Sequence, residues 1–279
     1  MRVIFAVLAL FTTSLNSGSN GNCYYIGNET EAVLIDAGIS CRETEKRMKL
    51  LGLKMKNVKA IFISHEHTDH IKGVASIYEK FAIPLYITDS TLRGCHAFTR
   101  YSPRQLLSNV PVTVGGLTVT PFPKMHDAQD PHSFLVSGNG VTIGVFTDIG
   151  KPCVQVQKNF QLCHAAYLEA NYDKGLLETG NYPHFLKKRI MGDKGHLSND
   201  QALEVFLKYK SPFISHLFLS HLSKDNNCPV KVKSLFENNA GDARIIVASR
   251  YVQSDVYFIQ ERAVNLSVPF RKAKQMTLF

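Results

Sequence analysis

The 279-residue sequence contains no C-x-x-C pair, no internal repeat, no low-complexity tract and no Pro/Ser-rich linker. Its six cysteines (Cys23, Cys41, Cys95, Cys153, Cys163, Cys228) are scattered. That excludes a small disulfide framework or a structural zinc ribbon and fits reduced thiols in a cytosolic protein. Apolar runs of roughly 20 residues, the length needed to cross a bilayer, are also missing. A shorter run, Val3 to Phe11 behind Met1-Arg2, has the charge and length of a signal h-region, but no small-x-small cleavage site follows it cleanly. Phe11 to Leu15 reads instead as a first buried strand, with residues 1–10 an extension or uncertain start, and a cytoplasmic location is expected. Acidic residues are the minority charge, 23 against 32 basic, giving a formal net charge of +9. This favours polyanionic partners such as nucleic acid over cationic ones, although many basic proteins bind no nucleic acid. With 44% apolar residues and no linker, a single domain over residues 1–279 is expected.

Strand-like runs come first, at 11–15, 23–26 and 32–36, the first two joined by the loop Asn16-Ser-Gly-Ser-Asn-Gly-Asn22. Such a loop suits a tight connection with positive φ, and could also present backbone N–H groups to a phosphate. The pattern then predicts a helix over 42–52, a strand over 58–63, a helix over 71–81 and a strand over 83–88. Further strands are expected at 112–114, 117–122, 133–137 and 141–147, with Gly138-Asn139-Gly140 a strong hairpin signal. After a strand at 164–169, Ser198-Asn-Asp-Gln201 reads as a capping box for a helix over 199–209. A strand at 214–220, a helix at 229–238 and strands near 244–248 and 255–259 complete the chain. Each half delivers strands and then helices, so an α/β (α+β) fold with two sheets face to face and helices outside is expected.

Directly after the apolar run 58–63 comes Ser64-His65-Glu-His67-Thr-Asp69-His70. Two imidazoles two residues apart can converge on one ion from an extended loop, while Asp69 and His70 offer oxygen and nitrogen to a second. Zn²⁺, Mn²⁺ and Fe²⁺ all accept such mixed sets. Further ligands must come from elsewhere, and His126, Asp148 and His221 each stand at the end of an apolar strand-like run. Taken singly, each could equally be a core or capping residue.

In order and across nearly the whole chain, this series resembles the metallo-β-lactamase superfamily, with Asp36 in Leu34-Ile-Asp-Ala-Gly38 upstream. The resemblance implies an αββα four-layer sandwich with two divalent metal ions at one end. It assigns His65, His67 and His126 to one metal, Asp69, His70 and His221 to the other, Asp148 to both, and Asp36 to support of the ligand loop. Because the superfamily hydrolyses lactams, thioesters and phosphodiesters, fold and metals leave the substrate open.

Leu168-Glu169-Ala-Asn-Tyr-Asp173 and Lys194-Gly-His196-Leu-Ser-Asn199 resemble the Glu and His motifs of the nuclease branches, where the pair passes a proton to the departing sugar oxygen. Asp69, Glu169 and His196 are accordingly the expected catalytic residues. The interval from Asp148 to His221 is too short for the insertion of ribonuclease J, and no Gly/Pro-rich arm like that of tRNase Z is present. The chain is most similar to the WalJ/YycJ family, in Ser14–Asn22, Phe146–Gly150, Gly195–Asp200 and Leu219–Asn227, although Tyr172 stands where that family often has His. This implies a DNA exonuclease working from 5′ ends, with a role in repair. A metal-bridged hydroxide suits in-line attack on a phosphodiester. The alternatives are a hydrolase of a small or cyclic phosphodiester, an RNA-processing nuclease, and a binding module that has kept the fold. Lys187-Lys-Arg189 with Lys194, and Arg93, Arg100 and Arg104 interleaved with Phe98 and Tyr101, could hold a strand or be ordinary solvated surface.

Overall fold

The computed structural model describes residues 9–261. Its first half carries β1 (Ala9–Asn16), β2 (Cys23–Gly27), β3 (Ala32–Ile35), α1 (Cys41–Leu50), β4 (Val58–Phe62), α2 (Thr68–Ile71), α3 (Val74–Phe81), β5 (Leu85–Ile87), α4 (Asp89–Gly94) and β6 (Arg104–Gln105). The second half carries β7 (Val112–Val114), β8 (Leu117–Pro123), β9 (His132–Gly138), β10 (Val141–Phe146), α5 (Val154–Phe160), β11 (Ala165–Glu169), α6 (Lys174–Thr179), α7 (His184–Met191), α8 (Asn199–Tyr209), β12 (His216–Ser220), α9 (Pro229–Glu237), β13 (Arg244–Val247) and β14 (Tyr257–Gln260).

The strands form two seven-stranded sheets, ordered β14-β1-β2-β3-β4-β5-β6 and β13-β12-β11-β10-β9-β8-β7. In the first sheet β3 to β6 run parallel, and in the second β10 to β13 do. Three apolar clusters bind four layers together, as expected for an αββα sandwich. Between the sheets, Tyr24, Ile26, Phe62, Phe134, Val145 and Phe218 interdigitate. The alternate residues Cys23, Tyr25 and Ile61 face α1 and α3, and Phe146, Leu168 and Leu219 face α5, α8 and α9. Period-two alternation with both faces buried is what a central strand requires.

Local chemistry explains several boundaries. Asn139 and Gly140 both have positive φ (51° and 74°), as a two-residue type I′ hairpin between β9 and β10 demands. Ser198 and Gln201 form the full reciprocal capping box of α8. The helix expected over 71–81 is instead broken into α2 and α3 at Gly73, where a Cβ would lie 2.0 Å from the Ile39 carbonyl oxygen. Four helices escape the sequence reading: α4, α5, α6 and α7. β14 does not stay with the second half but pairs antiparallel with β1, Ala9 opposite Gln260.

β1 takes up Ala9, Leu10 and Phe11 of the N-terminal apolar run; the rest of that run, and with it the signal-like reading, lies outside the described residues. Among those residues no helix is long and apolar enough to cross a membrane. All six cysteines are free thiols.

Candidate metal centre

Every candidate site residue but His196, which lies between α7 and α8, emerges where a strand ends, and the sheets bring those ends to one edge of the sandwich. Asp36 follows β3, the His65–His70 loop follows β4, His126 lies beyond β8, Asp148 follows β10, Glu169 ends β11 and His221 follows β12. The turn out of the sheet is abrupt. Asp36, Asp148 and His221 all have left-handed backbone (φ 59°, 54° and 55°), a region that costs a non-glycine residue about 1–2 kcal/mol. Surrounding hydrogen bonds hold it: Asp36 N–H donates to Phe62 O (2.9 Å) and His221 N–H to Ser17 Oγ (2.8 Å).

The ligand loop is braced from below. Asp36 Oδ1 accepts from Ser64 N–H (2.8 Å), while its Oδ2 accepts from Ser64 Oγ (2.8 Å) and His70 Nδ1 (2.7 Å). This is the supporting position expected for Asp36, and it turns His70 Nε2 towards the cluster. Asn22, at the end of the Gly/Asn-rich loop, donates its N–H to Asp69 O (2.7 Å) and its side-chain amide to Asp69 Oδ2 (3.2 Å). Gly38 lets these loops touch, since a Cβ there would lie 1.7 Å from Asp69 O.

The donor atoms gather into overlapping groups whose members lie within 4.8 Å of one another. His65, His67 and His126 make one, and Asp69, His70 and His221 another. Asp148 reaches both sides, with Oδ2 3.0 Å from His70 Nε2 and Oδ1 4.0 Å from His126 Nε2. His126 Nε2, His221 Nε2 and Asp148 Oδ2 are buried and make no aligned hydrogen bond, their nearest polar neighbours being Asp127 Oδ1 (3.3 Å), Asp69 Oδ2 (3.5 Å) and His70 Nε2 (3.0 Å). Buried polar atoms without partners are costly, so three such atoms converging on one space fit cation ligands. His126 and His221 are aimed by their other nitrogens, held by Gly195 O (3.1 Å) and Glu169 Oε1 (3.0 Å).

Electrostatics divides the imidazoles. Burial, reinforced by His70 and Lys124, keeps His65 well below the ordinary histidine range, and burial holds His126 down at about 4. Both are therefore neutral and ready to ligate. For His70 burial acts the other way, but Asp148, Asp36 and Asp69 outweigh it and lift the group to about 10. His221 is raised well above its ordinary value, Asp148, Asp69 and Glu169 overcoming burial. Asp148 stays far below the usual carboxylate range, since His221 and His70 outweigh its desolvation. A cation held here would compete with the protons that these carboxylates favour on His70 and His221.

Glu169 is fully buried and all its acceptor capacity is engaged. Oε2 accepts from the N–H groups of Ile149 (2.7 Å) and Leu197 (3.2 Å), and Oε1 from Nδ1 of His196 (2.7 Å) and His221 (3.0 Å). Burial opposes ionisation, yet the two histidines bring the group down to about 2. The expected Glu169–His196 pair is therefore formed, and the same carboxylate also steadies His221, which the sequence reading had not joined to it.

Sequence reasoning missed Asn22, Ser64, Ser17 and Asn171, whose side-chain amide donates to His221 O (2.8 Å). All four lie in stretches already singled out, Ser17 and Asn22 in the Gly/Asn-rich loop, Ser64 beside His65 and Asn171 beside Glu169, but nothing in the sequence says which partner each side chain meets. Tyr172 is buried and leaves the cleft to others. Phe98 and Tyr101 pack in the apolar cluster under the first sheet, which rules them out as stacking platforms beside Arg93, Arg100 and Arg104. Arg189, from the other basic cluster, does reach the cleft, where it pairs with Asp127 (2.6 Å).

Two stacked mixed sheets with this donor cluster at one edge define a metallohydrolase fold, and residues 17–147 match the Metallo-beta-lactamase superfamily, to which the chain belongs. Exodeoxyribonuclease YycJ of Bacillus anthracis is 31% identical over 232 residues, covering 79% of this chain and 85% of the relative. Exodeoxyribonuclease WalJ of Streptococcus pneumoniae is 30% identical over 220 residues, covering 76% and 81%. The metallo-β-lactamase fold protein YhfI of Bacillus subtilis has a TM-score of 0.67 over 90% of this chain and 99% of its own, at 14% identity, a likeness of fold.

Proposed function

We propose that the chain is a metal-dependent phosphodiesterase acting on DNA, an exonuclease that works from 5′ ends. The observation that carries this reading is the Glu169–His196 pair beside the donor cluster. In it Glu169 takes up His196 Nδ1 at 2.7 Å, and the imidazole keeps 22% of its side-chain surface open. The names of the two curated relatives support the substrate class.

His65, His67 and His126 would hold one divalent ion and Asp69, His70 and His221 a second, with Asp148 serving both. When bound, the ions supply an activated water and neutralise charge building on the phosphoryl oxygens. The protein's own contribution is proton delivery. Glu169 fixes the ring through Nδ1, so that Nε2–H is placed to give its proton to the sugar oxygen as the P–O bond breaks. The cleft is about 330 Å³ and is walled by the part-exposed Tyr182, Leu186, Arg189 and Ile190, which suits a strand better than a closed small-molecule pocket.

The test is a panel of end-labelled duplex DNA, single strands and precursor tRNA, with a thioester and a lactam, run with Mn²⁺ and with Zn²⁺. Shortening of 5′-labelled DNA is the expected result. Turnover of the thioester or lactam with every nucleic acid intact would overturn the reading.

A further inference from the structure

Beside the metal cleft lies a second cavity of about 300 Å³ that none of the ligands occupies. Its wall is largely apolar, built by Leu222, Pro229, Val247 and Ala248, and Ser223 lines both spaces. Arg250 stands between them. Its Nη2 reaches Ser19 Oγ (3.4 Å), a residue of the metal cleft, while its Nη1 is buried without a hydrogen-bond partner. A guanidinium N–H shut away from water and left unpaired is costly, and an anionic oxygen is the partner that relieves it best. The Tyr251 ring, 66% exposed, lies 5.9 Å from the same guanidinium, which places an aromatic face at the rim.

We propose that this cavity is a nucleotide subsite of the substrate strand. Arg250, by a turn of its side chain, brings the unpaired Nη1 to a phosphate oxygen next to the scissile bond, and the attached base enters between the apolar wall and Tyr251. The proposal rests on the phosphodiesterase reading of the metal centre, and it is charge complementarity together with continuity between the two spaces that selects a nucleotide over an apolar ligand. The cavity is also held in place by the site itself: Ser17, on its wall, accepts the backbone N–H of His221 at 2.8 Å.

The experiment compares kcat/KM of the metal-loaded enzyme for the 5′ and 3′ p-nitrophenyl esters of thymidine phosphate with that for bis(p-nitrophenyl) phosphate, which has no nucleoside. The wild type should prefer at least one nucleotide ester, and Arg250→Gln should lower that preference at least about tenfold. Tyr251→Ala, at an exposed ring, should lower it about threefold. Loosening of the fold would depress both substrates together and leave the ratio alone, so if Arg250→Gln is inactive throughout, the Tyr251→Ala ratio decides. An unchanged ratio while both diesters are cut overturns the subsite and leaves the phosphodiesterase reading standing. If the wild type cuts neither these diesters nor end-labelled DNA, the reading falls and the subsite falls with it; if it cuts DNA but none of the three small esters, the subsite alone is overturned.

Discussion

Glu169 is the residue on which two proposed functions converge, since Oε1 accepts from both His196, the proposed proton donor, and His221, a proposed ligand. Glu169→Gln keeps the shape but removes the charge, so kcat on oligonucleotide should drop about 100-fold even at saturating metal, as measured by steady-state kinetics alongside metal analysis. Its acidity has a second consequence. The folded carboxyl lies at about 2 rather than the ordinary 4.5, so it binds its proton more weakly than the unfolded group does. The stabilisation is complete above about pH 4.5 and drains away as pH falls towards 2. Asp148 and Asp69, also lowered, act in the same direction. Melting temperature should therefore fall between about pH 5 and about pH 3, and the fall should be shallower in Glu169→Gln.

At the scale of elements, the loops that carry ligands are fitted to each other with almost no clearance. Gly38→Ala would drive a methyl group into Asp69 O, 1.7 Å from an ideal Cβ. Destabilisation of about 3 kcal/mol is expected, with loss of bound metal, and denaturant unfolding with metal analysis checks both. The elements that were legible in sequence had a local cause: alternation in β2, Asn139-Gly140 in the hairpin, a capping box on α8. The His and Asp side chains that gather into the donor cluster were legible as well, because metal coordination chemistry draws attention to those residue types. What was hidden depends on the tertiary fold. α7 buries no residue and α6 only Leu177, so neither has an apolar face to read. Left-handed φ at Asp36, Asp148 and His221 has no glycine to announce it. The double duty of Glu169 required knowing which strand lies beside β11.

Over the whole molecule, a net charge of +9 and the exposed Lys188 and Arg189 beside the cleft should make DNA binding sensitive to salt. A plot of log affinity against log salt should fall with a slope of about −2 or steeper, measured by fluorescence anisotropy with a labelled strand. A flat plot would exclude backbone phosphate contacts as the source of affinity. The pairing of β1 with β14 has a further consequence. Just ahead of β14, Ser249 O accepts from Ser17 N–H (3.1 Å), Arg250 O from the Asn20 amide (2.8 Å) and Tyr251 O from Arg47 (2.9 Å). The loop that positions Asn22 and Ser17 under the metal centre is thus secured by a segment translated after every ligand. A chain whose β14 segment has yet to dock therefore holds every histidine of the cluster but not the support beneath the loop that carries Ser17 and Asn22.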